Sequence, residues 1–214
     1  MKTSTQSLIL DLIERYPTLN TIKLSLEKSV QSLIDLYQRG GKLLVCGNGG
    51  SASDALHIVG ELMKDFVLPR HLTDAEKNAI MNAGTHGEYI IENLQRAFPA
   101  IALVGSAALE SAYANDRAPD LAFAQQVFGL GNRGDILLGI STSGNSKNVI
   151  YAMEVAKSKG ITTIALTGES GGKLKDICDI LIPVPENETY KVQELHLPIY
   201  HMLCLAVENE FFGK

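Results

Sequence analysis

An α/β domain, with a five-stranded parallel sheet covered by helices on both faces, is the fold class this sequence predicts, and three observations predict it. Five short apolar runs, KLLVC from residue 42, AIALV from 100, DILLGI from 135, TTIAL from 162 and DILIPV from 179, have strand length and lack polar alternation, the pattern of strands buried on both faces. Segments with helical spacing separate them, the order of strand–helix–strand units in a parallel sheet. Two stretches rich in glycine and small hydroxyls follow the first and third runs, where such sheets place ligand-binding loops.

The elements follow in order. MKTSTQSLILDLIERYP reads as an amphipathic helix carrying Asp11, Glu14 and Arg15. Ile22, Leu24, Leu26, Val30, Leu33, Ile34 and Leu36 recur at helical spacing, which predicts a second helix over 19–39 ended by Gly40-Gly41. Residues 1–40 are thus N-terminal helices ahead of the first strand. Further helices are expected over 52–66, 74–97 with a break near Gly84 or Gly87, 107–114, 120–129, 145–158 and about 190–211. Residues 67–99 are polar and helix-forming and postpone the second strand, so they read as a helical insertion. No internal repeat or low-complexity tract interrupts the chain.

The 214 residues, 45% hydrophobic and 20% charged, suit a single domain over 1–214 with its own core. A net charge of -5 offers no broad basic footprint, which argues against nucleic acid as a partner and directs attention to small molecules. Cys46, Cys178 and Cys204 are widely spaced without a CxxC pair, so neither a disulfide framework nor a cysteine zinc site is indicated, and a reducing cytoplasm is the fitting compartment. No long apolar run suggests a membrane span or a signal peptide.

Chemistry concentrates in two loops. ISTSGNSKN, residues 140–148, offers Ser141, Thr142, Ser143 and Ser146 as hydroxyl donors to a phosphate, with the backbone amides of the next helix beside them. The plainer reading is a strand-to-helix turn capped by Asn145 or Ser146. CGNGGSASDALHIVGE, residues 46–61, matches neither the P-loop nor the dinucleotide fingerprint, so no nucleotide is implied. Its Asn48, Gly49, Gly50 and Ser51 form a second candidate anion loop. His57 and Glu61, four apart, share a face of the helix that follows. Such a pair is commonly a surface contact, but here it follows directly on an anion loop.

The strand followed by CGNGGSASDALH, the strand followed by ISTSGNS, and VQELH near the C-terminus together resemble the sugar isomerase (SIS) domain family, and within it the phosphoheptose isomerases. The likeness spans about residues 40–210, interrupted at 67–99. It implies a three-layer αβα, flavodoxin-like domain, a homotetramer with active sites at subunit interfaces, and conversion of sedoheptulose 7-phosphate to D-glycero-D-manno-heptose 7-phosphate through an enediol. By the same resemblance Gln193 and His201 join His57 and Glu61 as ligands of a metal ion. Two imidazoles, a carboxylate and an amide suit zinc better than calcium or magnesium. Glu61 is then the candidate base, His201 its acid/base partner, and Gln193, Asn115 and Asp116 candidate substrate contacts.

Gln193 and His201 stand eight apart, about 12 Å along an ideal helix, so sharing one ion requires a bend, long side-chain reach or a neighbouring subunit. Pro198 between them removes one helical hydrogen bond and invites a kink. The sequence departs from the family pattern in the length of 67–99 and in Tyr190, where an acid is common. His196 reads as structural. Two other readings stand beside the isomerase of heptose phosphate. One is an isomerase of a different phosphosugar. The other is a non-catalytic relative that binds the replication initiator, which typically lacks the acid and histidine present here as Glu61 and His201.

Overall fold

The computed structural model describes residues 1–214. Its centre is a sheet of five parallel strands, β1 (Leu43–Gly47), β2 (Ala100–Ala102), β3 (Ile136–Ser141), β4 (Thr162–Thr167) and β5 (Ile180–Pro183), in the order β2-β1-β3-β4-β5. This is the flavodoxin-like order, whose direction reverses between β1 and β3, leaving a crevice at the carboxyl ends of those two strands. Leu43 aligns with Ile136 and Gly47 with Ile140, so both loops that the sequence singles out leave the sheet at the same level.

Alternation along each strand builds two cores. Leu43 and Val45, Ile136, Leu138 and Ile140, and Ile164 and Leu166 face the larger apolar cluster; Leu44 and Cys46, Leu137 and Ala165 face the smaller one. The larger is covered by α1 (Thr3–Arg15), α2 (Lys23–Gln38), α3 (Gly50–Met63) and α9 (Thr189–Phe212). The smaller is covered by α7 (Ala122–Leu130) and α8 (Lys147–Ser158). Helices therefore lie on both faces, giving three layers. Gly139 lets α8 approach β3, because a side chain there would collide with Met153 and come within 2.8 Å of Val149 Cγ1.

The N-terminal helices form because Ile9, Leu12, Leu26, Val30, Leu33 and Ile34 make continuous apolar stripes that are fully buried. Each such side chain contributes about 1.5–3 kcal/mol on burial. Leu24, counted in the helical periodicity, is 64% exposed and stands off the stripe. Residues 17–22 form a short 3-10 turn, so the second helix starts at Lys23 instead of residue 19.

Residues 67–99 hold two helices, α4 (Asp74–Ala83) and α5 (Gly87–Asn93), separated at the glycines where the sequence predicts a break. Thr73 and Glu76 form a capping box at the start of α4, which has no buried residue. Strand β2 spans three residues, not the five of AIALV, although Leu103 remains buried and its amide donates to the Val45 carbonyl at 2.8 Å. The last helix before β3 is preceded by α6 (Ala107–Asp116) and a 3-10 turn over 119–121. No helix is long and apolar enough to cross a membrane.

Candidate active site

Gly47 ends β1 and must be glycine, because a Cβ there would lie 2.6 Å from the Ser51 carbonyl as the chain folds back into α3. Gly49 takes φ +56°, the left-handed conformation that glycine allows. No side chain caps the first turn of α3, so its positive dipole end opens on the crevice. Across the crevice, Ser146 occupies the N-cap position of α8, yet its hydroxyl pairs with Ser141 Oγ at 2.9 Å and makes no capping bond. The two hydroxyls thus form a small polar patch at the helix start. Ser143 accepts from the Asn145 amide at 3.2 Å and shapes the turn between them, while Thr142 uses its carbonyl to receive the Gly168 amide at 2.9 Å.

The two loops are clasped. Asn48 donates to Asn148 Oδ1 at 3.0 Å, and Asn148 donates back to Asn48 Oδ1 at 2.8 Å. Sequence reading missed Asn148, since its partner lies 100 positions away and nothing local marks it. A cleft of about 430 Å³ lined by Pro119, Asp120, Lys147 and Asn148 adjoins the clasp. The glycine pair Gly171-Gly172 also has a role beyond turning: a Cβ on Gly172 would come within 2.6 Å of the Gly144 carbonyl, so glycines let the β4 loop support the β3 loop. Gln193 of α9 reaches this end as well, its amide so close to Gly50 that a Cβ there would stand 2.6 Å from Nε2.

Farther along α3 a second group assembles. His57 Nε2 lies 3.2 Å from Glu61 Oε1, and Lys64 Nζ donates to Glu61 Oε2 at 3.0 Å. Tyr200 of α9 places its hydroxyl 3.1 Å from His57 Nδ1 and donates to Asp54 Oδ1 at 3.1 Å. The ring of His201 meets His57 edge-on at 5.0 Å between centroids, and its Nε2 is buried with no hydrogen-bond partner. Burial, reinforced by the neighbouring His57, holds the His201 imidazole below its ordinary value. Burial pushes the Asp54 carboxyl up, and burial together with Asp54 pushes the Tyr200 phenol up. The thiols of Cys46 and Cys204, fully enclosed, are pushed up to about 12 and are not nucleophiles.

A buried lock holds the end of α3. Glu208 receives the amides of Phe66, Val67 and Leu68 at 2.8–2.9 Å and pairs with Arg70 Nε at 2.8 Å. Burial alone would raise Glu208, but these donors outweigh it and hold the carboxyl below its usual range. Arg70 in turn donates to the carbonyls of Glu61 and Leu62, the last turn of the helix that carries the acid. Neither Arg70 nor Glu208 stands out in the sequence.

These positions sort the sequence-predicted residues. Asn48, Gly49, Gly50, Ser51, Ser141, Thr142, Ser143, Ser146 and Gln193 gather at the crevice, whereas His57, Glu61 and His201 gather farther along α3 and α9. Within one chain Gln193 is therefore not beside the other three proposed metal ligands. Helix α9 runs unbroken through Pro198, so its eight-residue separation remains about 12 Å, matching seven residues from Gly50 to His57 on α3. No three His, Cys, Asp or Glu side chains of the chain close together as a metal site. Asn115 and Asp116 lie in the last turn of α6, exposed, with Asn115 donating to Asp116 at 2.8 Å and no hydrogen bond to either loop.

The chain is 39% identical over 192 residues to the phosphoheptose isomerase of Aliarcobacter butzleri, covering 90% of this chain and 88% of that one. The chain belongs to the phosphoheptose isomerase family. It is an isomerase by that membership, and the SIS domain model of the wider family matches residues 78–168. Two solved phosphoheptose isomerases superpose with a TM-score of 0.73. The Francisella tularensis structure is 32% identical and covers 98% of this chain and 100% of its own. The Neisseria gonorrhoeae structure is 30% identical and covers 94% of each. The fold class and isomerase activity that the motifs imply are thereby established. These relatives are isomerases, which favours the enzymatic reading over a non-catalytic binder of the replication initiator.

Proposed function

We propose that this phosphoheptose isomerase converts sedoheptulose 7-phosphate to D-glycero-D-manno-heptose 7-phosphate through an enediol, with the phosphate received at the β1 and β3 loops. The observation that carries the mechanism is a clasped, hydroxyl-lined crevice at one end of α3 and an acid beside an unpartnered imidazole at the other, two half-sites that a neighbouring copy completes. Glu61 removes the proton from C1 of the ketose and returns it to C2, while His201 moves the proton between the two oxygens. Lys64 and His57 hold the two oxygens of Glu61 in place, and Lys64 must yield one for the carboxylate to reach carbon. Asn115 and Asp116 contact sugar hydroxyls in this reading.

Zinc is the ion we propose for His57, Glu61 and His201. Two imidazoles and a carboxylate are donor types that suit it, and His201 Nε2 is buried without a hydrogen-bond partner; because the three do not close on one point within the chain, holding the ion requires them to draw together or a neighbouring subunit to complete the set. Held there, the ion would supply Lewis-acid polarisation of the substrate carbonyl. Gln193 joins that set only by reaching along the helix or from a neighbouring subunit; otherwise its amide serves the substrate at Gly50.

We further propose a homotetramer with active sites at its interfaces. Gly50 and Glu61 are about 16 Å apart along α3, longer than a seven-carbon phosphosugar, so one chain alone does not present both ends of the substrate's site. Leu56 and Met63, 54% and 48% exposed on the helix that carries His57 and Glu61, supply an apolar surface for a second copy. Three free cysteines support a reducing, cytoplasmic setting.

The test is conversion of sedoheptulose 7-phosphate by the purified protein, followed by NMR, as isolated, after chelation and after zinc is restored. Turnover that falls on chelation and returns with zinc is expected. Turnover unaffected by chelation overturns the zinc assignment, and no turnover under any condition, with another phosphosugar accepted, overturns the substrate.

A further inference from the structure

Asp54 and His57 stand three apart on one face of α3, and the buried Tyr200 of α9 inserts its hydroxyl between them, 3.1 Å from each. A phenol has one proton to give, and an ionised carboxylate only accepts. The proton of Tyr200 goes to Asp54, which leaves the phenol oxygen as an acceptor, and the group left to donate to it is His57 Nδ1–H. The imidazole ring is held in that orientation by edge contact with Tyr200 at 5.4 Å and with His201 at 5.0 Å. In the neutral ring its other nitrogen, Nε2, then carries a lone pair that points at Glu61 Oε1 across 3.2 Å, whereas a protonated ring donates to that oxygen. Two acceptor atoms at that separation repel one another unless a proton or a cation lies between them.

We infer that Tyr200 and Asp54 form a tautomer lock on His57, which fixes the proton on Nδ1 and reserves Nε2 for a cation shared with Glu61. Tyr200 acts through His57 and is a positioning residue. A free imidazole carries its proton on either nitrogen, and only one tautomer has its lone pair facing the acid. The lock excludes the other before any ion arrives. Outer partners of metal-binding histidines commonly work in this way, and their loss weakens metal affinity by about 10–100-fold. Here the partner is a phenol that is itself oriented by a carboxylate one turn before the histidine. The inference rests on the zinc reading for its purpose, but the lock itself is a property of the metal-free protein.

The experiment uses the full chain in two readouts. Nitrogen-15 NMR of histidine side chains, in metal-free protein at pH 8, reports which nitrogen of His57 is protonated. Wild type is expected to show protonated Nδ1. Tyr200→Phe, which keeps the ring that packs in the core, is expected to show a mixture. Asp54→Ala frees the phenol proton for Nδ1 and is expected to reverse the tautomer, placing the proton on Nε2, a change of opposite sense that general loosening does not produce. The second readout is zinc affinity by competition with a chelating dye, expected to weaken about 10–100-fold in Tyr200→Phe. Unchanged His57 spectra in both variants, with zinc affinity within twofold of wild type, overturn the lock while leaving the proposed function standing. A wild-type protein that shows the locked tautomer but binds no zinc keeps the lock and removes its assigned purpose.

Discussion

At the first turn of α3 the functional groups are backbone amides, glycines and short hydroxyls, whereas at its last turn they are long ionisable side chains held by residues from α9 and the 64–70 segment. The first end works by close approach. Gly47, Gly50 and Gly144 are small because another part of the chain occupies the space a Cβ would take. The second end works by orientation. Tyr200 and Asp54 hold His57, and Arg70 with Glu208 holds the turn that carries Glu61, which is what the proposed mechanism needs of them. Removing a side chain at the first end should thus weaken substrate binding, while doing so at the second should stop the reaction or unfold the frame around it.

The sharpest way to break that contrast is Glu61→Gln. It keeps shape but cannot take a proton from carbon, so kcat should fall by about 10²–10⁴ with KM changed by no more than a few-fold. Steady-state kinetics with undiminished kcat would remove Glu61 as the base. Next in size is Glu208→Gln, which leaves the buried guanidinium of Arg70 uncompensated and should cost about 3–5 kcal/mol of stability in urea unfolding. A loss below about 1 kcal/mol would mean that water reaches the pair and that the lock does not hold the end of α3.

The third effect is one of pH. His196 is fully buried; its Nε2 donates to the Thr167 carbonyl at 3.3 Å, and its Nδ1 has no partner. Burial lowers its pKa from 6.5 to about 4. The folded state therefore binds fewer protons than the unfolded state between those values. Its contribution to stability is complete above about 6.5 and is lost as pH falls toward 4, on the order of 3 kcal/mol in all. His196→Gln, which retains a donor, should flatten the decline in melting temperature across that window; parallel declines would show that other groups set the acid limit. The smallest effect belongs to the first end of α3. Ser141→Ala removes one hydroxyl of the Ser141–Ser146 pair and should raise KM for the phosphorylated substrate about tenfold with kcat little changed, and an unaltered KM would move the phosphate elsewhere.

The crevice was readable in advance because its chemistry is local. GNGGS and STSGNS after buried apolar runs announce the turns, and a parallel sheet places such turns on one edge. The order of strands and the break at Gly84–Gly87 were readable for the same reason, since periodicity and turn residues act over a few positions. The second helix starts later than periodicity predicts because the 3-10 turn at 17–22 shares its apolar spacing, and β2 is shorter than its apolar run because Leu103 stays buried without strand geometry. Asn148, Tyr200, Arg70 and Glu208 were not readable. Each is an ordinary residue on a helix or in a loop until its partner, 100, 143 or 138 positions away, is brought to it.

The sequence by itself determined the α/β class, the two hydroxyl-rich loops and the presence of His57 with Glu61 on one helical face, because those depend on spacing within single elements. Only the tertiary structure decided that Gln193 belongs to one end of α3 and His201 to the other, that the loops are clasped by two asparagines, and that a phenol from α9 sets the proton on His57. Hydrogen bonds and charge pairs act over a few ångströms of space irrespective of distance along the chain, so the groups that orient a site are fixed by how α3 and α9 pack and not by the residues that adjoin it in sequence.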